Sequence, residues 1–190
     1  MDVDPAVDLA AALDSTMTVL RNVGRGDLDR PTPCASWDVR ALINHFIGTA
    51  RWWAATVSGD ETLAGPDEDY ADGDLVAAYQ ESTRIALTAF GAEGALERRV
   101  TLPFGEFAGA VLQSFAATDQ FTHGWDLARA LGRDTDLSPD LAVLLLDLAR
   151  VSIGDALRGP DPDAPFGPER PAPADAKAAD RLAAYLGRSV

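Results

Sequence analysis

Val39-Arg40-Ala41-Leu42-Ile43-Asn44-His45-Phe46-Ile47-Gly48-Thr49-Ala50 is the stretch from which the fold can be read. Val39, Leu42, Ile43, Phe46, Ile47 and Ala50 recur at helical spacing and form one apolar stripe. Such a stripe must be buried against other elements, so the segment is one wall of a helical core. Ser36 is expected to cap this helix, with Asp38 in its first turn, and the helix should run to about Val57. The segment before it, Pro31-Thr32-Pro33-Cys34-Ala35, is extended, because residues preceding proline avoid the helical region.

The pattern continues on both sides. Asp4 followed by Pro5 marks the start of a first helix, with apolar residues at Val7, Leu9, Ala12, Leu13, Met17, Val19 and Leu20, stopped by Gly24 and Gly26. Residues 59–72 are acidic and turn-rich and read as an exposed loop. A third helix is expected over 73–90, with Leu75, Tyr79, Ala86 and Phe90 inward. Arg98 to Leu102 has strand character, and Pro103-Phe104-Gly105 reads as a turn, which allows a small hairpin. A fourth helix covers 107–131 and ends at Gly132. Ser138 and Pro139 open a fifth, through Leu157. Residues 159–173 hold six of the twelve prolines and form a connector to a last helix over 175–186. The expected fold is all-α: a four-helix bundle with additional short helices, in one domain spanning 1–190.

Composition narrows the function. The 190 residues carry 16 basic and 30 acidic side chains, a net charge of −14, and 47% are hydrophobic. No basic stripe exists to meet nucleic acid or an anionic membrane surface, so neither is an expected partner. The single cysteine, Cys34, excludes a disulfide framework and a thiolate-rich zinc site. There is no basic, apolar leader and no stretch of about 20 apolar residues, so a reducing cytoplasm is the expected compartment. No glycine-rich phosphate loop is present, and neither Ser114 nor Ser152 stands in a nucleophile-elbow context.

Two histidines, His45 and His123, carry the most chemistry. His45 flanks the apolar stripe among the small neighbours Ala41, Gly48 and Thr49, which leaves space around its ring. Asp119 and His123 are one helical turn apart and share a face, flanked by Ala116 and Ala130. A carboxylate and an imidazole so placed can chelate a divalent ion, and a histidine from a facing helix would complete three ligands with one open position. The same spacing also serves an intrahelical ion pair on a solvated face, and spacing alone leaves both readings open.

Thr32-Pro33-Cys34-Ala35-Ser36-Trp37-Asp38-Val39-Arg40 with Leu42 and His45, then Asp119 with His123-Gly124-Trp125-Asp126-Leu127-Ala128-Arg129-Ala130, resemble the signatures of the mycothiol-dependent maleylpyruvate isomerase metal-binding domain, of the DinB-like superfamily of four-helix bundles. Phe166-Gly167-Pro168, Asp180-Arg181-Leu182 and Leu186-Gly187-Arg188 resemble its stand-alone metal-binding subfamily, so the likeness spans nearly the whole chain. The resemblance implies a metal held by His45, Asp119 and His123, with Asp119 where the isomerase has Glu. Zinc is the expected metal for such a mixed histidine and carboxylate site, with nickel able to occupy it in a recombinant protein because such sites select metals weakly. It also implies mycothiol or a similar low-molecular-weight thiol as cofactor, and thiol S-transfer or isomerase-like chemistry on a small electrophile. The isomerase's additional C-terminal domain has no room in this chain, so maleylpyruvate itself is not the expected substrate.

Other residues have two readings each. Asp126 can accept a hydrogen bond from the His123 imidazole, or pair with Arg129 or Arg133. Of the four tryptophans, Trp37, Trp52, Trp53 and Trp125, most belong in the core, while Trp52 and Trp125 can wall a pocket. Arg51 and Arg129 can bind a substrate carboxylate or make surface ion pairs. Cys34 reads as a packing residue of the extended entry segment. The rival functional readings are a non-catalytic metal-binding stress or partner-binding bundle, and a purely structural bundle in which Asp119 and His123 merely pair. A homodimer through an exposed helix face is compatible with all three.

Overall fold

The structure is a computed structural model that describes residues 5–66, 68–103, 105–160 and 164–190, with side chains from Leu9 onward. The elements are α1 (Pro5–Leu20), α2 (Val39–Ser58), α3 (Leu75–Phe90), β1 (Arg99–Leu102), β2 (Gly105–Ala108), α4 (Gly109–Ala130), α5 (Pro139–Ser152) and α6 (Ala178–Tyr185). The fold is all-α with one small hairpin, as the sequence predicts. The expected cap at Asp4 and the side chain of Val7 lie outside the described residues, as does Phe104 of the hairpin turn.

Helices α1 to α4 form the bundle: α1 lies on α4 and α3, and α2 lies on α3 and α4. The α2 stripe decides this arrangement. Val39, Leu42, Ile43, Phe46 and Ile47 are fully buried at its centre. At about 25 cal/mol per Å² of apolar surface, each such side chain contributes roughly 1.5–3 kcal/mol by leaving water. On α4 nearly the whole circumference is buried, polar Gln113, Gln120 and Asp126 included. A helix buried all round is central to the fold; Gln120 and Asp126 find hydrogen-bond partners inside it, while the Gln113 amide is buried without one. Gly124 lets α1 come close, since a Cβ there would lie 2.4 Å from Thr16 Oγ1.

Several boundaries differ from the sequence reading. The α2 cap is Asp38, whose Oδ1 accepts from Ala41 N at 2.8 Å, and not Ser36. Both residues can cap; Asp38 stands directly before the first helical residue. Helix α4 begins at Gly109, because Phe107 and Ala108 pair with Val100 and Arg99 in the hairpin. Helix α5 ends at Ser152, where Gly154 takes an extended conformation before a short 3-10 turn over Asp155–Leu157. The acidic segment 59–72 is not simply an exposed loop. It contains two 3-10 turns, buries Tyr70 and Ala71, and is tied to α2 by Arg40 with Asp69 and Asp72 and by Asn44 with Asp69.

The described part of the proline-rich connector folds back onto the protein. Gly159 N donates to Phe166 O at 2.9 Å, and Arg158 Nη1 donates to Gly167 O and Tyr185 O at 3.0 and 2.7 Å. Helix α6 packs on α5 and α4. The chain then crosses Gly167 at Gly187, whose φ of +96° suits glycine and whose added Cβ would lie 2.6 Å from Gly167 Cα. That crossing brings Arg188 back against α4.

Candidate functional site

Helix α2 presents His45 and helix α4 presents Asp119 and His123 to the same point. The ligand-capable atoms of the three lie within 4.8 Å of one another. Asp119 Oδ1 is 3.4 Å from His123 Nε2 and 3.8 Å from His45 Nε2. A tetrahedral zinc ion with bonds of about 2.0–2.1 Å separates its donors by roughly 3.3–3.4 Å. The donor set is of a kind that holds a divalent ion; the Asp119–His123 separation already has this spacing, and the Asp119–His45 separation is a few tenths of an ångström wider. Trp37 backs both imidazoles, with ring centroids 4.3 Å from His45 and 5.7 Å from His123.

The second oxygen of Asp119 is held separately. Oδ2 accepts from Thr49 Oγ1 at 3.0 Å and from Gln120 Nε2 at 3.3 Å. Gln120 is itself fixed, donating to Phe46 O at 3.0 Å and accepting from Tyr79 Oη at 2.8 Å. Partners of this kind orient a ligand carboxylate and are worth about 10–100-fold in metal affinity. Burial pushes the Asp119 carboxyl up, but the hydrogen bonds to His123 and His45 outweigh it and hold it below the usual carboxylate range.

His123 is held from its other side. Its Nδ1 is 3.0 Å from Asp126 Oδ2, which turns Nε2 toward Asp119. Burial pushes the imidazolium down, yet Asp119, Asp126 and Cys34 together raise it above the ordinary histidine range. Asp126 is fully buried and takes a bidentate pair from Arg188, Nε to Oδ1 at 3.2 Å and Nη2 to Oδ2 at 2.9 Å. Burial raises the Asp126 carboxyl, and the Arg188 charge with the His123 hydrogen bond overcomes that and keeps it ionised. Breaking such a buried pair costs about 3–5 kcal/mol.

The three residues open onto a cavity of about 820 Å³. Trp37, Trp52, Trp53, Phe115 and Phe166 form much of its apolar wall, and Arg129, Arg170 and Arg188 reach it. Such a volume suits a small molecule in an aromatic pocket with few polar groups. Trp52 stands on the rim, 41% exposed.

The structure corrects four readings. Trp125 is no pocket wall: it is fully buried, and its Nε1 donates to Asp180 Oδ1 at 2.8 Å. Asp126 pairs with Arg188 rather than with Arg129 or Arg133. Arg51 lies off the cavity and donates to Ser82 Oγ at 3.1 Å, while Arg129 lines the cavity and lies over the Trp125 ring. Cys34 is more than packing, since it lines the cavity with Sγ 3.3 Å from Asp126 Oδ2. The roles of Gln120, Tyr79 and Arg188 were not readable from sequence; a glutamine beside the acidic ligand candidate was the only local signal.

Among the described residues no helix is long and apolar enough to cross a membrane. No solved structure matches the chain. Two uncharacterized proteins of Mycobacterium tuberculosis, one from strain CDC 1551 / Oshkosh and one from strain ATCC 25618 / H37Rv, are each 40% identical over 191 aligned positions, covering 98% of this chain and 99% of the relative. Residues 9–128 match the family described as the mycothiol maleylpyruvate isomerase N-terminal domain. That span runs from α1 almost to the end of α4 and contains His45, Asp119 and His123, so the geometry above is that of a member of this family, to which the chain belongs.

Proposed function

We propose that this protein holds a divalent metal, zinc in the first instance, through His45, Asp119 and His123, and uses it to join a low-molecular-weight thiol such as mycothiol to a small electrophile, or to isomerise that electrophile through the thiol. The observation that carries this reading is the convergence of three donor atoms within 4.8 Å on the wall of an 820 Å³ cavity. A bound zinc ion would supply Lewis acidity, which favours the thiolate form of a thiol at neutral pH.

The protein's own residues have distinct tasks. Thr49 and Gln120 hold Asp119 Oδ2, leaving Oδ1 for the ion. Asp126 holds His123 Nδ1, leaving Nε2 for the ion. Trp52, Trp53 and Phe115 exclude water from the place where thiol and electrophile meet. The chemistry suits a reducing cytoplasm, where such thiols stay reduced.

The test is metal content by mass spectrometry on untagged protein, beside His45→Ala and His123→Ala, followed by a screen of thiols and electrophiles. Near-stoichiometric zinc that is lost in both variants, with thiol-dependent turnover, supports the reading. Zinc without turnover by any thiol leaves a non-catalytic metal-binding bundle. No zinc, even after reconstitution, overturns the reading.

A further inference from the structure

A second donor set shares His123 with the first. Cys34 Sγ, Asp126 and His123 also place their ligand-capable atoms within 4.8 Å of one another. The two sets use opposite edges of one imidazole. Nε2 faces Asp119, and Nδ1 faces Asp126. Cysteine, histidine and a carboxylate are a stronger zinc set than two histidines and a carboxylate, because the soft thiolate suits zinc. On donor chemistry alone, an ion would settle on the Cys34 side.

Arg188 stands in the way. Its guanidinium occupies both oxygens of Asp126, and its Nη2 lies 3.6 Å from Cys34 Sγ. The side chain is only 13% exposed, and its Nη1 is fixed by Leu186 O at 3.0 Å. A fixed positive charge against Cys34 and Asp126 repels a second cation and consumes the carboxylate lone pairs that it would need. The crossing of Gly167 and Gly187 seats the arginine there. Arg188 lies beyond residues 9–128, the span that matches the family.

We infer that Arg188 is a specificity-determining residue: it confines a divalent ion to His45, Asp119 and His123 by filling the competing site of Cys34, Asp126 and His123 with its own charge. This rests on the metal reading proposed above. It also leaves Cys34 without a metal bond, its Sγ held on Asp126 Oδ2 at 3.3 Å on the cavity wall.

The experiment is cobalt(II) titration of the full chain, followed by absorption spectroscopy, which separates thiolate from nitrogen and oxygen ligation. The wild type is expected to bind cobalt without a cobalt–thiolate charge-transfer band. Arg188→Gln removes the charge while keeping a hydrogen-bond donor. It is expected to gain that band and to lose it again with Cys34→Ser added. Arg188→Lys is expected to restore the wild-type spectrum. Arg188→Met, uncharged and of similar size, repeats the test if the glutamine variant does not fold, as judged by its helical circular dichroism. A wild-type spectrum in both uncharged variants overturns the inference, as does a thiolate band in the wild type. Cobalt-free wild type overturns the metal reading; in that case a Cys34-dependent cobalt site in Arg188→Gln still supports the exclusion, and its absence overturns that too.

Discussion

Thr49 on α2 donates its hydroxyl to Asp119 Oδ2 on α4 at 3.0 Å, so the two helices that supply the candidate ligands also fix the carboxylate between them. Oδ1 is thereby turned to both histidines. Thr49→Val keeps the side-chain shape and removes the donor. Zinc affinity is expected to fall about 10–100-fold, with little change in fold. Competition with a chromophoric chelator measures it, and unchanged affinity would show that Asp119 needs no such support.

Metal binding is linked to folding. A ligand that binds only the folded state at 100 times its Kd adds about 2.7 kcal/mol. Chelation should therefore lower the melting temperature of the wild type by several degrees. It should leave His45→Ala and His123→Ala, which have lost a candidate ligand, where they were. Calorimetry with and without EDTA decides the matter; equal shifts in all three proteins would point to binding elsewhere.

Gln120 joins four groups: Phe46 O, Thr49 Oγ1, Tyr79 Oη and Asp119 Oδ2. Gln120→Leu fits the volume but strands these buried groups. The expected cost is about 1–3 kcal/mol for each group left unpaired, offset in part by the apolar replacement. Urea unfolding reads it. A neutral result would mean that the network rearranges around the leucine.

Gly187→Ala places a Cβ within 2.6 Å of Gly167 Cα at a φ of +96°. Backbone must move on both sides, and Arg188 moves with it. A loss of about 1–3 kcal/mol is expected, together with a change in zinc binding, as withdrawal of the Arg188 charge opens the set of Cys34, Asp126 and His123 to the ion. Thermal unfolding and zinc competition should change together; loss of stability with intact metal affinity would separate the crossing from the site.

Trp52 is 41% exposed on the cavity rim. Trp52→Ala should alter stability little, by about 0.5 kcal/mol or less, and zinc content not at all. Its effect should fall on the apparent affinity for the electrophile in the thiol assay. A drop in turnover at saturating substrate, with unchanged affinity, would assign the ring a different task.

Local sequence determined much of this protein. The stripe from Val39 to Ala50 and the glycine and proline punctuation place the helices to within a few residues, because spacing and capping act over one or two turns. Asp119 and His123 share a face for the same reason. Even the error at the α2 cap was local, a choice between Ser36 and Asp38. What faces those residues was decided only by tertiary structure. Cys34 meets Asp126 across 92 positions, Arg188 meets it across 62, and Tyr79 reaches Gln120 across 41. These contacts depend on the rotation of each packed helix and on the path of the proline-rich return, which spacing along the chain does not specify. Burial of Asp126 then demands a partner, and the fold supplies Arg188.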